Sequence, residues 1–338
     1  MRLEGFEPPT RGLEGRRSST ELQAPEHRVA RLAAHLELAA LSDEDFVQHA
    51  YRLLVRRDAL PEDLERCLAA FGQSTLSRAT LLHEIASSHE FVRVRALDDA
   101  VARAREARLG DERPRTLTAP PGTDERAVEI GWVLSRYRGE PRVLDAGYAF
   151  AEPAYLAALV ELGARELVGA DLAEIEVPGL RGVVADLREL PFEDGAFDIA
   201  FCVSTLEHVG LDNRAYGLEA ERDQGGQERA LRELSRVLAG NGRLLLTVPC
   251  GEPADLGSFV QREPAGWREL FEAAGLTVFE EEVYELGEAG WRSVPDLDPA
   301  GVRYGERGPG ASAVLCAELR RRGLRGAVRR VARAVRGG

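Results

Sequence analysis

The 338-residue sequence contains no lysine, so arginine supplies all of its 44 basic side chains. Cysteine is also scarce: four cysteines are scattered along the chain, and no Cys-x-x-Cys pair occurs. This pattern excludes a disulfide framework and a zinc site, and it predicts reduced thiols in a cytoplasmic protein. The six histidines never approach the spacing of metal ligands, so we predict no metal site. Apolar runs long enough to cross a bilayer are missing as well.

The formal net charge of −13 disfavours nucleic acid as the main partner, because phosphate binding needs a basic face. The exception is the basic tail, residues 321–338, which carries no acidic side chain. Its apolar residues recur at helical spacing at positions 324, 328, 331 and 335. An amphipathic helix of this kind can make a weak contact with an anionic membrane surface or bind an acidic partner. A solvated tail explains the pattern equally well.

The length of the chain allows two domains. We expect a leader over residues 1–41, a helical accessory domain over 42–95, a linker over 96–125 and a larger domain over 126–320. The start of the leader, Gly-Phe-Glu-Pro-Pro-Thr-Arg-Gly, resembles the conceptual translation of a transfer-RNA gene. The leader is therefore either misannotated or disordered.

The accessory domain has the signals of three short helices. Ser42 and Ser77 are N-cap residues, Pro61 suits a first helical turn, and apolar residues follow each at helical spacing. The segment from Phe46-Val-Gln-His-Ala-Tyr-Arg to Ser88-His-Glu-Phe resembles a phycobilisome-linker-like helical domain of unknown function. This resemblance implies a module that binds a protein partner.

The larger domain begins with an apolar strand that ends in Asp145-Ala-Gly147. A helix-period run follows, and a second apolar strand ends at Asp171. This order predicts a nucleotide-type crevice at the carboxyl ends of the strands. Small residues at Gly147 and Ala149 let the turn pass close to a ligand, and Asp171 can accept hydrogen bonds from a ribose. Asp186, after a third strand, can reach the other edge of the crevice.

Strands and helices alternate through this domain, which predicts an α/β fold with a mostly parallel sheet. The last two strands lack a clear helix between them and suit an antiparallel edge. Seven strands are expected near residues 142–147, 166–172, 181–186, 197–204, 242–249, 276–286 and 311–319.

Three motifs resemble the Rossmann-like class I S-adenosylmethionine-dependent methyltransferases, and the resemblance extends from about Arg126 to Arg320. They are the Asp145-Ala-Gly147 turn, the run Leu-Pro-Phe-Glu-Asp-Gly-Ala-Phe-Asp-Ile-Ala-Phe that begins at residue 190, and the run Gly-Asn-Gly-Arg-Leu-Leu-Leu-Thr-Val-Pro that ends at residue 249. The family's usual Gly-x-Gly-x-Gly is here Gly-Tyr-Ala-Phe-Ala, so two of its three glycines are alanines.

The resemblance implies S-adenosylmethionine as cofactor and assigns residues to its parts. Asp145 would face the methionine ammonium, Asp171 and Leu172 the ribose, and Asp186 and Leu187 the adenine. The remaining cofactor-binding residues are Gly147, Ala149 and Cys202, at the turns after their strands.

His208 follows the fourth strand at the expected point of methyl transfer. It could act as the general base for a hydroxyl or amine acceptor, or it could only hold the turn.

The sequence therefore predicts a methyltransferase that acts on a hydroxyl of a small molecule or glycan. The choice of acceptor rests on the associations of the accessory domain, which is analogy. Two alternatives remain: a non-catalytic binding protein of the same fold, and a nicotinamide-dependent oxidoreductase. The missing Gly-x-Gly-x-x-Gly and the absence of lysine for a Tyr-x-x-x-Lys pair speak against the oxidoreductase.

Overall fold

The computed structural model describes residues 40–110, 117–212, 214 and 222–322. It divides into two compact units, Met1–Ser88 and His89–Gly338. The expected leader and basic tail lie almost wholly outside the described residues. No helix within the described ranges is long and apolar enough to cross a membrane.

The described part of the first unit contains three helices, α1 (Asp43–Val55), α2 (Pro61–Gly72) and α3 (Arg78–Ala86). The Ser42 hydroxyl accepts a hydrogen bond from the Asp45 amide, and the Ser77 hydroxyl accepts one from the Thr80 amide, each at 3.1 Å. Both predicted N-caps are thereby confirmed, because each hydroxyl satisfies an amide that has no partner inside its helix.

The second unit begins seven residues earlier than the linker expected at 96–125, with the long helix α4 (His89–Leu109). Its alanines Ala96, Ala100 and Ala104 are buried, and small side chains let another helix approach closely. The neighbour is α5 (Arg126–Ser135). Much of the expected linker is thus part of the second unit, because its alanine face is packed against α5.

Eight strands form the main sheet of the described chain: β1 (Arg142–Ala146), β2 (Glu166–Asp171), β3 (Arg181–Val184), β4 (Phe197–Val203), β5 (Leu238–Pro249), β8 (Leu276–Gly287), β9 (Gly290–Val294) and β10 (Ala313–Arg321). Their order is β3-β2-β1-β4-β5-β10-β8-β9. The first five are parallel, and β10 runs antiparallel to both β5 and β8. The predicted α/β fold with its antiparallel last strand is confirmed.

Three short strands were not predicted from the sequence. Strand β9 adds an eighth member to the sheet as a hairpin with β8, and β6 (Ala254–Asp255) pairs with β7 (Val260–Gln261) in a separate ribbon. These strands have few residues in which alternation could appear.

Helices α6 (Pro153–Val160), α7 (Gly226–Val237) and α8 (Pro264–Ala273) complete the domain. Two apolar clusters form its core, one centred on Trp132 and Phe201 and the other on Trp267 and Phe271. The strands between them present their carboxyl ends at one edge of the sheet, as parallel pairing requires.

Candidate active site

A cavity of about 170 Å³ opens at the carboxyl ends of β1, β2 and β4. We call the part lined by Asp145, Gly147 and Asp171 its cofactor end. The part lined by Arg126, Ser204 and His208 is its acceptor end. Leu172, Asp186 and Leu187 also line the cavity. Seven of the nine predicted site residues therefore meet at this one opening.

The turn after β1 depends on a single glycine. Gly147 has a φ of 98°, and a Cβ built there would lie 2.1 Å from the Thr205 Oγ1 atom. Any side chain would collide with Thr205 and force an unfavourable backbone conformation. Neither Ala149 nor Ala151 has a positive φ. The two alanines that replace the family's glycines are therefore compatible with this turn.

Asp145 is a buried carboxylate, 2% exposed, at the end of β1. The Tyr155 hydroxyl donates a 2.7 Å hydrogen bond to its Oδ1 atom. Among the described residues no arginine or histidine forms an ion pair with it. Burial raises its pKa to about 7, while the hydrogen bond from Tyr155 lowers it. A cationic ligand beside Asp145 would offset the cost of burying its charge.

Asp171 ends β2 on the other side of the turn. The Ala149 amide donates to its Oδ2 atom at 3.0 Å. Burial raises the Asp171 pKa, and the backbone hydrogen bonds oppose that rise. A carboxylate has about four acceptor positions, so this one retains capacity for ligand hydroxyls.

Asp186 is bound to a neighbouring arginine. Arg188 donates to it through Nη2 at 2.6 Å, through Nε at 3.0 Å and through its backbone amide at 2.8 Å. The Arg188 hydrogen bonds hold the Asp186 pKa below its usual value despite partial burial. Much of the acceptor capacity expected to serve an adenine is thus already used within the protein.

Two predicted cofactor-binding residues do not line the cavity. The Ala149 amide donates a hydrogen bond to Asp171. Cys202 is fully buried in β4, and burial raises the pKa of its thiol. The next residues along the strand, Val203 and Ser204, line the cavity instead.

His208 lies in a short 3₁₀ turn, Leu206–His208, and its ring packs against Phe259. Its Nδ1 atom is 2.8 Å from the Ser258 carbonyl oxygen. A carbonyl only accepts, so Nδ1 carries the proton and the lone pair of the neutral ring lies on Nε2. Burial lowers the His208 pKa, so the ring is neutral at pH 7.

The acceptor end contains a buried group that the sequence analysis missed, which we call the acidic cluster. It consists of Arg126 and three carboxyl groups, Glu125, Glu129 and Glu207, which are 6%, 0% and 3% exposed. Arg126 Nη1 donates to Glu129 Oε2 at 2.8 Å and to Glu125 Oε1 at 3.4 Å. Burial raises the pKa of Glu125 to about 7 and that of Glu207 to about 8.

Ser204 joins the acidic cluster to the sheet. Its hydroxyl donates to Glu129 at 2.8 Å and accepts a hydrogen bond from Arg126. Its own amide donates to the Thr247 hydroxyl and carbonyl oxygens, both at 3.1 Å. Ser204 has a φ of 42°, a strained value for a residue other than glycine. These hydrogen bonds stabilise the strained backbone conformation of Ser204, the residue before Thr205.

Residues 144–246 match the sequence model of a family described as "Methyltransferase domain". A curated protein of Encephalitozoon cuniculi, provisionally named a methyltransferase, is 32% identical over 113 residues, which are 33% of this chain and 47% of that protein. An uncharacterized protein of Methanocaldococcus jannaschii is 31% identical over 68 residues, 20% of this chain and 23% of that protein. The chain spans about half the length of these curated relatives or less.

Two solved structures are similar at low identity. The YcgJ protein of Bacillus subtilis is 18% identical with a TM-score of 0.39, covering 58% of this chain and 99% of that one. The 1,6-didemethyltoxoflavin-N1-methyltransferase of Burkholderia thailandensis, solved with bound 1,6-didemethyltoxoflavin and S-adenosylhomocysteine, is 18% identical with a TM-score of 0.38. That match covers 78% of this chain and 91% of that one. Likenesses at this level carry no argument about activity. The family match over residues 144–246 is therefore what confirms the predicted methyltransferase domain.

Proposed function

We propose that the protein transfers a methyl group from S-adenosylmethionine to a hydroxyl of a small molecule or glycan. The observation that carries the cofactor is Asp145, a buried carboxylate with no cationic partner among the described residues. The methionine ammonium would supply the missing cation. Asp171 would accept hydrogen bonds from the ribose hydroxyls, and Leu172 and Leu187 would contact apolar faces of the cofactor. The missing side chain of Gly147 leaves room for Thr205 to pack against this turn.

When bound, S-adenosylmethionine supplies a methyl group that its sulfonium makes electrophilic. The protein then has to hold the acceptor in line and receive its proton, so positioning carries much of the rate. His208 suits proton transfer, because its Nδ1 atom is fixed by Ser258 and its lone pair lies on Nε2. In this proposal Nε2 of His208 would take the proton of the acceptor hydroxyl, while the cofactor would supply its methyl group to that oxygen and leave as S-adenosylhomocysteine.

The nicotinamide-dependent alternative draws on Asp171 alone, which suits any ribose. The non-catalytic alternative draws on the two alanines of the turn, which are compatible with its backbone. The nicotinamide alternative leaves Asp145 unexplained, because the pyrophosphate of a nicotinamide dinucleotide is an anion. The non-catalytic alternative accounts for Asp145 but gives His208, which also lines the cavity, no role. We therefore favour methyl transfer.

Calorimetric titration with S-adenosylhomocysteine and with NAD separates these functions. We expect S-adenosylhomocysteine to bind and NAD not to bind. A screen of hydroxyl-bearing metabolites and glycans with labelled S-adenosylmethionine then tests turnover. Binding of NAD alone would refute the proposal, and binding of S-adenosylhomocysteine without transfer to any acceptor class would favour the non-catalytic alternative.

A further inference from the structure

Arg126 lines the cavity with hydrogen-bond donors that the protein does not use. Among the described residues, all of its side-chain hydrogen bonds come from one nitrogen, Nη1, which donates to Glu125, Glu129 and Ser204. Its Nε and Nη2 atoms have no acceptor among the described residues, and neither atom is buried. These two nitrogens are therefore accessible to solvent. Because the side chain is 30% exposed and lines the cavity, they are available to a ligand at the acceptor end.

The donors of Nε and Nη2 form one edge of a planar guanidinium. That edge matches two oxygens of a carboxylate, with two parallel N–H···O bonds. Glu129 and Ser204 fix the opposite side of the group, so little side-chain freedom remains to be lost on binding. A lysine in the same place has all three donors on one nitrogen and could not offer two parallel bonds from a planar edge.

The charge around Arg126 decides which ligands can bind there. The groups that face it are Glu125 directly before α5, Glu129 in α5, Glu207 and His208 from the 3₁₀ turn, and Tyr304. If Glu125, Glu129 and Glu207 were all ionised beside one guanidinium, two negative charges would remain and an anion would be repelled. Asp124, next to this group, forms an ion pair with Arg93.

Protonation changes this balance. Burial raises the pKa of Glu125 to about 7 and that of Glu207 to about 8. At and below neutral pH, Glu207 is largely protonated and Glu125 is partly so. Within the described part of the chain, Glu207 Oε2 has no hydrogen-bond partner, which is less costly for a neutral carboxyl than for a charged one. The guanidinium charge is then nearly balanced by Glu129 alone.

From this arrangement we propose that the methyl acceptor carries a carboxylate, which binds the Nε and Nη2 edge of Arg126. The proposal rests on the proposed function, since it names the substrate class of the same cavity. The hydroxyl that receives the methyl group and the carboxylate that anchors the molecule are then separate parts of one acceptor. Binding of the anion is accompanied by proton uptake at Glu125 and Glu207, because the negative ligand favours their neutral forms.

The test uses the full chain saturated with S-adenosylhomocysteine and two matched sets of probes of graded charge. The larger set is benzoate, benzamide and benzamidine, and the smaller set is acetate, acetamide and acetamidine. We expect each carboxylate to bind about 10-fold more tightly than its amide near pH 6.5, a difference of about 1.4 kcal/mol. Repeating the titration in buffers of different ionisation enthalpy should reveal proton uptake. The preference for the carboxylate should shrink toward pH 9 as Glu125 and Glu207 ionise.

Arg126→Gln should abolish the preference, and Arg126→Lys should retain only part of it. The wild-type comparison does not depend on whether either variant folds. Equal binding of carboxylate and amide, tighter binding of the amidine, or no binding of either carboxylate would overturn the proposal. Failure of S-adenosylhomocysteine to bind would instead refute the proposed function, so the two failures are distinguishable.

Discussion

The two ends of the cavity are built in different ways. The cofactor end comes from a short stretch of chain, in which the neighbouring parallel strands β1 and β2 carry Asp145 and Asp171 at their carboxyl ends. The acceptor end comes from residues far apart in the sequence, since Ser204 bonds to Glu129 across 75 positions. Parallel strand pairing alone brings Asp145 and Asp171 together, whereas the acceptor end needs α5 packed over the end of β4.

Their electrostatics differ as well. At the cofactor end Asp145 has no cationic partner among the described residues, while at the acceptor end Arg126 faces three carboxyl groups. Both arrangements raise carboxyl pKa values, but ligand binding should affect them in opposite directions. A cation at Asp145 displaces a proton, and an anion at Arg126 draws protons in. Variants and pH changes should therefore separate the two ends.

The largest effect is expected at His208. If its ring is the general base, His208→Ala should lower turnover by about 10²–10⁴-fold and leave affinity for S-adenosylhomocysteine unchanged. The wild-type rate should rise with pH through an apparent pKa below that of ordinary imidazole, because only the neutral ring accepts a proton and burial favours it. A flat pH profile with near-normal turnover in the variant would reduce His208 to holding the turn.

Gly147→Ala should disrupt the cofactor end by steric conflict. Backbone strain and the contact with Thr205 together should lower the free energy of unfolding by about 2–5 kcal/mol and weaken S-adenosylhomocysteine binding. Gly163→Ala is a matched control, since Gly163 also has positive φ but no atom lies near its added Cβ. It should cost only about 1–2 kcal/mol. Equal losses in denaturant titrations of the two variants would show that Thr205 plays no part.

Asp171→Ala should weaken S-adenosylhomocysteine binding by about 1.5–3 kcal/mol, the range for hydrogen bonds to a charged group. Asp171→Asn is the control for structure, because an amide oxygen can still accept from the Ala149 amide. It should preserve the turn and part of the affinity. Unchanged calorimetric affinity in a folded Asp171→Ala variant would remove the residue from the site.

The smallest effect is the pH dependence of cofactor binding. Because Asp145 has a pKa of about 7 in the free protein, its ionised fraction and the affinity for S-adenosylhomocysteine should rise about 10-fold between pH 6 and pH 8. Asp145→Asn keeps the Tyr155 hydrogen bond and should remove this rise. Affinity that instead fell over this range in the wild type would contradict an ammonium beside Asp145.

The cofactor end could be predicted from sequence because its signal is local. An apolar strand followed at once by Asp145-Ala-Gly147, and another that ends in Asp171, indicates where both carboxylates lie. Arg126 and Glu129 gave no such signal, since charged residues in the first turns of a helix usually face solvent. Their burial follows from tertiary packing on β4. Cys202 does not line the cavity, whereas Val203 and Ser204, the next residues along the chain, do.

The strained backbone of Ser204 gives the cavity a thermodynamic property. Through its hydroxyl, Ser204 is bonded to the acidic cluster, and through the next residue, Thr205, it closes over the Gly147 turn. A ligand that shifts this joint from either side changes the free energy of the other side by the same amount, since binding linkage is reciprocal. If a ligand at one end moves Ser204, affinity at the other end should therefore change, with a sign set by whether the hydrogen bonds of Ser204 tighten or relax.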